Sequence, residues 1–464
     1  MPLVVTQSRP VIGLLVVKVL FVVLFFGFCG LVHHEVAKKV KSPFIDEIFH
    51  LRQCQKYCQY KFHEWDNKIT TPPGLYLLGF LYTNVLTLIT GSKSICENID
   101  VLRSLNILGG LVVFPIALRI FKRSNPNQFW SINVISQPLL FTYYFLFYTD
   151  IWSTVLIVSS LALVVNKPLN DYSSYLSGFL AFASIWFRQT NIIWTAFILA
   201  VLVDRRIIKK RGENPNVISQ TISFIIQFFK DWYKTIPFLV NFVLFAIFLK
   251  INGGITFGDK ENHEIQLHVV QVFYCFVFIV AFTWPVWFSL STITNYVKFV
   301  IVANYGLNLV LNALAIFVIK LIIDKFTVVH PFLLADNRHY TFYIFKRLIS
   351  HRYSQFVAVP LYHFSTYAVL STLGATVRLS MTFVTIACYL VAICLTIIPS
   401  PLFEPRYYIV PLIIFRLFIK PVSQRRHIFE FLWLNLINVA TVTVFFNYEF
   451  YWISEPGVIQ RIIW

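Results

Sequence analysis

Residues 10–32 read PVIGLLVVKVLFVVLFFGFCGLV, an almost unbroken apolar run. A helix needs roughly 20 such residues to cross the hydrocarbon core of a bilayer, and this stretch is long enough. It exceeds the h-region of a secretory signal, and no small-residue cleavage site follows it, so it is read as a first span. Comparable runs recur at 74–90, 102–121, 129–147, 150–166, 189–203, 236–251, 268–290, 297–323, 355–373, 379–398 and 428–448, with two more near 174–187 and 406–419. They are continuous rather than alternating, which excludes barrel strands. The expected fold class is an all-α polytopic membrane protein of about 11–14 transmembrane helices, forming a single membrane domain over 1–464.

Composition points the same way. Of 464 residues 57% are apolar, 18% aromatic and only 13% charged, with a mean hydropathy of +0.69. A soluble domain needs about twice that charged fraction, and a disordered chain is polar and poor in aromatics. Collagen-like repeats are ruled out by the low glycine count of 16. Lys plus Arg is 39 against 21 for Asp plus Glu, a net charge of +18. The basic residues sit in short stretches between apolar runs, which suits anionic headgroups or a lipid phosphate better than nucleic acid. The densest cluster, Arg205, Arg206, Lys209, Lys210 and Arg211, reads as a cytoplasmic loop. Lys38, Lys39 and Lys41 would, by the same rule, put the loop after the first span on the cytoplasmic side too.

Cysteine usage is scattered. Cys29, Cys275, Cys388 and Cys394 fall inside apolar runs and act as small hydrophobes. Cys54 and Cys58, four apart, fall on one helix face, and no C-x-x-C pair marks a zinc or thioredoxin-type site.

Two loops hold the polar residues that need a function. In the first, 33–73, apolar positions 44, 48, 51 and 58 keep helical spacing, so an amphipathic helix on the membrane surface is expected. Asp46 and His50 share a face of it, and Glu47 lies on the flank. The acidic pair reads either as helix N-terminal charge or as paired catalytic carboxylates. Asp46, Glu47 and His50 are also competent metal ligands, but their spacing matches no standard ligand motif. In the second loop, 324–354, Arg338 and His339 beside aromatics suit a phosphate or a sugar face, or an ordinary interfacial belt. Asp150, at a span edge, is the feature that best suits a transporter. A membrane enzyme acting on a lipid-linked substrate would instead place its polar groups in surface loops, as here.

Several blocks resemble one family over nearly the whole chain. They are Asp46-Glu47-Ile48-Phe49-His50; Ile69-Thr70-Thr71 with Pro73-Gly74-Leu75-Tyr76; and Arg188-Gln189-Thr190-Asn191-Ile192. Asn252-Gly253-Gly254, Gly258-Asp259-Lys260, His268, the long block Leu334-Ala335-Asp336-Asn337-Arg338-His339-Tyr340-Thr341-Phe342-Tyr343, and Gln460-Arg461 continue the match. The chain resembles the endoplasmic-reticulum dolichyl-phosphate-glucose alpha-1,2-glucosyltransferases, which add the last glucose to the lipid-linked precursor of N-glycosylation.

That resemblance implies a GT-C-type fold in the endoplasmic reticulum membrane, with the first loop lumenal and carrying a catalytic acid. The implied donor is dolichyl phosphate beta-glucose, and the implied acceptor is the diglucosylated high-mannose oligosaccharide on dolichyl diphosphate. The reaction inverts the anomeric carbon, so one base suffices. The acceptor 2-hydroxyl loses its proton to a carboxylate, while the phosphate leaving group needs positive charge rather than an acid. Asp46 is expected to be that base, with Glu47 orienting the acceptor or supporting Asp46; spacing alone leaves the order of the two open. Arg338 and His339, with Asp336 beside them, are the first candidates for the donor phosphate and sugar, followed by Lys260 and Arg406, with His330 and His268 weaker. An internal pair with Glu404 is an equally good reading of Arg406. His50, Trp65 and Tyr340 are candidates for the acceptor side. No cofactor and no metal is expected, because fixed cations neutralise the phosphate.

Overall fold

The computed structural model describes residues 9–464 apart from 93–94, 124–128, 213–215, 352 and 378–380. Helix α1 (Arg9–Lys39) carries the first run beyond its expected end. Lys39 pairs with Glu35 one turn back at 3.1 Å, and Lys38 and Lys39 complement the carboxyl end of the helix dipole. The first polar loop therefore opens at residue 40 rather than 33. It contains α2 (Glu47–Cys58) and α3 (Gly74–Thr90). The next long apolar unit joins α4 (Ile99–Leu108) and α5 (Phe114–Lys122) through a wider π turn at 109–113.

The run 74–90, expected to span, folds back instead. Cys58, before α3, forms a disulfide with Cys96, after it. Arg103 in α4 donates to the Val40 carbonyl just past the end of α1, at 2.7 Å. The two ends of segment 40–98 thus meet, and the whole segment is one excursion on one side of the molecule. Leu81, Val85, Leu88 and Ile89 form an exposed stripe on α3, while Leu75 and Tyr76 are buried in a cluster with Leu51, Cys54 and Tyr57 of α2. That two-sided apolarity is why the run imitates a span.

The run 129–147 departs from a regular helix as well. It breaks into α6 (Ser131–Ile135), α7 (Pro138–Phe141), a 3-10 turn at 142–145 and extended Leu146. Pro138 lacks the N–H that a continuous helix would use. Nearly all of this stretch is buried. It runs along α1, with Phe141 against Phe25 and Phe28, and Tyr144 packs where a Cβ on Gly110 would overlap its ring. Non-helical backbone at this depth is tolerable because protein, not lipid, surrounds it.

The chain continues through α8 (Asp150–Asn166), α9 (Asp171–Ile185) and α10 (Asn191–Arg211). Ser160 and Ser177 let α8 and α9 approach closely, their hydroxyls 2.8 Å apart. The basic cluster expected in a loop forms the last turns of α10, where Arg206 is buried and donates to the Pro168 carbonyl, Asp171 and Ser174. Next come α11 (Val217–Lys230) and α12 (Ile236–Asn252), then α13 (Gln271–Trp287) and α14 (Leu290–Ile301). Helix α15 (Leu307–Phe326) is split from α14 by Gly306, whose φ of 87° interrupts the run 297–323. Short helices α16 (Pro331–Ala335) and α17 (Tyr340–Ile344) lie in the second polar loop before α18 (Ser354–Gly374). The run 379–398 starts outside the described residues and is seen as α19 (Phe383–Ile397). Helices α20 (Ile409–Phe418) and α21 (Gln424–Asn447) precede a small antiparallel pair, β1 (Phe450–Tyr451) and β2 (Ile459–Gln460).

Six helical stretches among the described residues are long and apolar enough to cross a membrane: 13–39, 99–122, 232–252, 307–326, 354–374 and 424–447. Shorter apolar helices, α8, α13 and α19 among them, pack between these. The chain is an all-α polytopic membrane protein. Its loops converge at one end: Phe257 and Asp259 donate backbone N–H groups to the Thr70 and Asn67 carbonyls, His268 to Ile398, and Tyr340 to Ile463. Gly258 is required there, since a Cβ would overlap the Asn67 carbonyl oxygen. The other end carries the basic turns of α10 and a buried pair between Arg416 and Glu430, to which Asn133 also donates.

Candidate active site

Both members of the acidic pair stand where the loop enters α2, in different surroundings. Glu47 is fully buried and receives Arg103 bidentately, at 2.8 Å and 2.7 Å. It also accepts the backbone N–H groups of Phe147 at 2.8 Å and Phe44 at 3.0 Å. No lone pair is left for a substrate, so the expectation that Glu47 orients the acceptor is withdrawn and its supporting role remains. It fixes the turn that presents Asp46. That turn is strained: β-branched Ile45 holds φ at 52°. Tyr148 braces it, accepting from the Asp46 N–H at 3.1 Å and donating to the Phe44 carbonyl at 3.0 Å.

Asp46 keeps 40% of its side chain exposed and accepts from Arg406 at 3.0 Å. Enclosure alone would raise its carboxyl; the Arg406 guanidinium overrides this and holds the group below its usual range. Arg406 also donates twice to Glu404, at 3.2 Å and 2.7 Å. The internal pair with Glu404 is therefore present, and the same guanidinium also holds Asp46. Burial works against its charge, but Glu404 and Asp46 more than compensate. His50 is buried, with Nδ1 2.7 Å from the Tyr76 hydroxyl. Burial pushes it down to about 4, so it is neutral at pH 7. With Glu47 spent on Arg103, the three potential ligands at 46, 47 and 50 do not form a shared metal set. Among the described residues the one grouping of metal-competent side chains is Cys54, Cys58 and Cys96, and two of those are joined as a disulfide.

Arg338 is gripped by Asp336 at 2.9 Å and 2.7 Å and stacks 4.3 Å over Trp452. His339 lies 3.8 Å from the same carboxylate and 3.4 Å from the Trp464 carbonyl. Arg338 is close enough to Asp46 for the charges to be felt. The remaining candidates stand apart. Lys260 donates to the Asn252 carbonyl, and His330 caps α16 through the Phe332 N–H. Trp65 packs on Tyr76 and Phe257, and Tyr340 lies against Trp464. His268 is a buried partner of Gln271.

Two cavities adjoin this centre. One of about 310 Å³ is lined by Thr70, Asp150, Arg188, Gln189, Arg406 and Tyr407, among others. The second, about 660 Å³ and mostly apolar, is lined by residues of α13 and α18 together with Phe403 and Trp464. Asp150 and Arg188 were not singled out as site residues from the sequence. Both sit at the mouths of apolar runs, and their pairing crosses 38 positions.

The model of the DIE2/ALG10 family matches residues 40–417, a range that contains Asp46, Arg188, Arg338 and Arg406. The chain belongs to the DIE2/ALG10 family. Relatives agree along its full length. A protein of Debaryomyces hansenii is 54% identical, covering 97% of this chain and 99% of its own. One of Candida albicans is 49% identical, covering 97% and 100%, and one of Homo sapiens 30%, covering 92% and 94%. Each is named Dol-P-Glc:Glc(2)Man(9)GlcNAc(2)-PP-Dol alpha-1,2-glucosyltransferase. No solved structure matches the chain. The sequence blocks from Asp46 to Tyr343 lie within the range matched by the DIE2/ALG10 family.

Proposed function

We propose that the chain is the alpha-1,2-glucosyltransferase its relatives are named for, moving glucose from dolichyl phosphate glucose to the Glc(2)Man(9)GlcNAc(2) oligosaccharide on dolichyl diphosphate. The observation that carries this reading is Asp46, a charged, half-open carboxylate held by Arg406, whose side chain lines the 310 Å³ cavity. Asp46 takes the proton of the attacking 2-hydroxyl. The new bond forms at the anomeric carbon as the bond to phosphate breaks, and dolichyl phosphate leaves as an anion. Arg338, fixed by Asp336, supplies positive charge for this anion, and His339, held at the Trp464 carbonyl, lies beside it as a hydrogen-bonding partner. The chemistry needs no general acid and, with Arg338 fixed in place, no metal ion. We assign the polyprenyl tail of the donor to the 660 Å³ apolar cavity, because Trp464 both lines it and accepts from His339 and Tyr143.

The active end faces the lumen of the endoplasmic reticulum, and a GT-C-type architecture suits it. Two observations support this orientation. A disulfide in segment 40–98 requires an oxidising compartment. The basic turns of α10 lie at the opposite end of that helix from Arg188, where the positive-inside rule wants them. Of Lys38, Lys39 and Lys41, which argue for the opposite orientation, Lys39 is paired with Glu35. The test is transfer from synthetic dolichyl phosphate glucose to defined acceptors by purified protein, with linkage analysis. A new alpha-1,2 glucose is expected; substrate moved between leaflets with no new glycosidic bond would sink the proposal.

A further inference from the structure

Asp150 is the first residue of α8, and Arg188 lies in the link between α9 and α10. Arg188 donates from Nη2 to Asp150 Oδ1 at 2.8 Å, with the carboxylate side chain 2% exposed and the guanidinium 17%. The pair leaves two buried polar atoms without a partner among the described residues: Asp150 Oδ2 and Arg188 Nε. An unmet acceptor and an unmet donor in a buried site each carry a desolvation penalty. Both residues line the 310 Å³ cavity, whose wall includes Arg406, the partner of Asp46. The Arg188 guanidinium lies 5.8 Å over the ring of Tyr407, which also lines the cavity.

We propose that Asp150 and Arg188 bind a vicinal diol, the 3- and 4-hydroxyls of the acceptor's terminal glucose. This rests on the transferase reading above. One hydroxyl donates to Asp150 Oδ2, and its neighbour accepts from Arg188 Nε. The assignment to acceptor rather than donor follows from the stereochemistry. In an inverting displacement the attacking oxygen and the leaving phosphate lie on opposite faces of the donor ring. With the phosphate at Arg338 and His339, the acceptor sits across Asp46, on the side of Arg406, which lines this cavity. Once the 2-hydroxyl is presented to Asp46, the 3- and 4-hydroxyls are the next around the ring. Thr256 and His263 from the loop after α12 also line the cavity.

The experiment compares acceptors ending in glucose, 3-deoxyglucose or 4-deoxyglucose, with wild type, Asp150→Asn and Arg188→Lys. Wild type is expected to lose about 10–100-fold in kcat/KM on either deoxy acceptor, the range for hydrogen bonds to charged groups. Asp150→Asn and Arg188→Lys should raise the acceptor KM, leave the donor KM unchanged, and discriminate less against the deoxy sugars. Equal use of all three acceptors by wild type would overturn the proposal. So would a rise in donor rather than acceptor KM in either variant. If Asp150→Asn does not fold, the wild-type series and Arg188→Lys decide. A wild-type enzyme that makes no product even from the unmodified acceptor would instead overturn the transferase reading itself.

Discussion

Asp46 and Glu47 are chemically near-identical neighbours with opposite fates, and the difference lies in partners far along the chain. Arg103, 56 positions on, consumes Glu47; Arg406, 360 positions on, tunes Asp46. Spacing in a short loop carries no trace of either, which is why the sequence narrowed the base to two residues and stopped there. Asp46→Asn is expected to cost about 10²-fold or more in kcat, with unchanged thermal unfolding; near-wild-type turnover would remove Asp46 from the chemistry. Its pH dependence has a definite sign. The Asp46 carboxyl lies below its ordinary value of about 3.9, so the proposed base is ionised across the neutral range and activity is expected to fall only at strongly acidic pH. Arg406→Gln removes the main downward influence and leaves the upward one of burial, so the acid limb of kcat/KM should move to higher pH. His50, already neutral, should add no limb near pH 6.5.

At the scale of elements, the Glu47–Arg103 pair ties the start of α2 to α4 and, through Val40, to the end of α1. Arg103→Met leaves the Glu47 charge buried and unpaired, a loss of about 3–5 kcal/mol by analogy with other buried pairs. The double variant Glu47→Gln with Arg103→Met should recover part of that in thermal unfolding of the detergent-solubilised protein; a double variant no better than the single would mean that the pair is not coupled. Val277→Trp, narrowing the apolar cavity, is expected to raise the KM for long-chain dolichyl donors more than for short isoprenyl analogues; an equal effect on both would move the tail elsewhere. Element existence was legible from hydropathy, because lipid imposes continuous apolar helices. Element role was not. The run 129–147 is apolar because protein buries it all round, and 74–90 because it lies between α2 and the membrane surface. Both satisfy a hydropathy window without being regular spanning helices.

For the whole molecule, fold class and family were readable from composition and a few specific blocks, whereas the path of the chain between its two ends depends on contacts. The Cys58–Cys96 disulfide is the clearest case, since no spacing rule pairs residues on either side of an apparent span. Thiol labelling of the denatured, unreduced protein should modify the five free cysteines, with two more appearing only after reduction. A single Cys engineered at an exposed position such as Lys68 should resist a membrane-impermeant reagent added to sealed microsomes and react once they are opened; labelling of intact vesicles would reverse the topology. The region around residues 459–464 has one more effect. Arg461 binds the carbonyls of Phe445, Phe446 and Lys39, and Ile463 pairs with the backbone on either side of His339. The Glu47–Arg103 contact is available once about a quarter of the polypeptide has left the ribosome, because domains fold as their segments emerge. The cradle of Arg338 and His339 waits for the 460s. The nascent protein thus passes most of its synthesis with the turn at Asp46 begun, but with neither its Arg406 partner nor the proposed phosphate site in place.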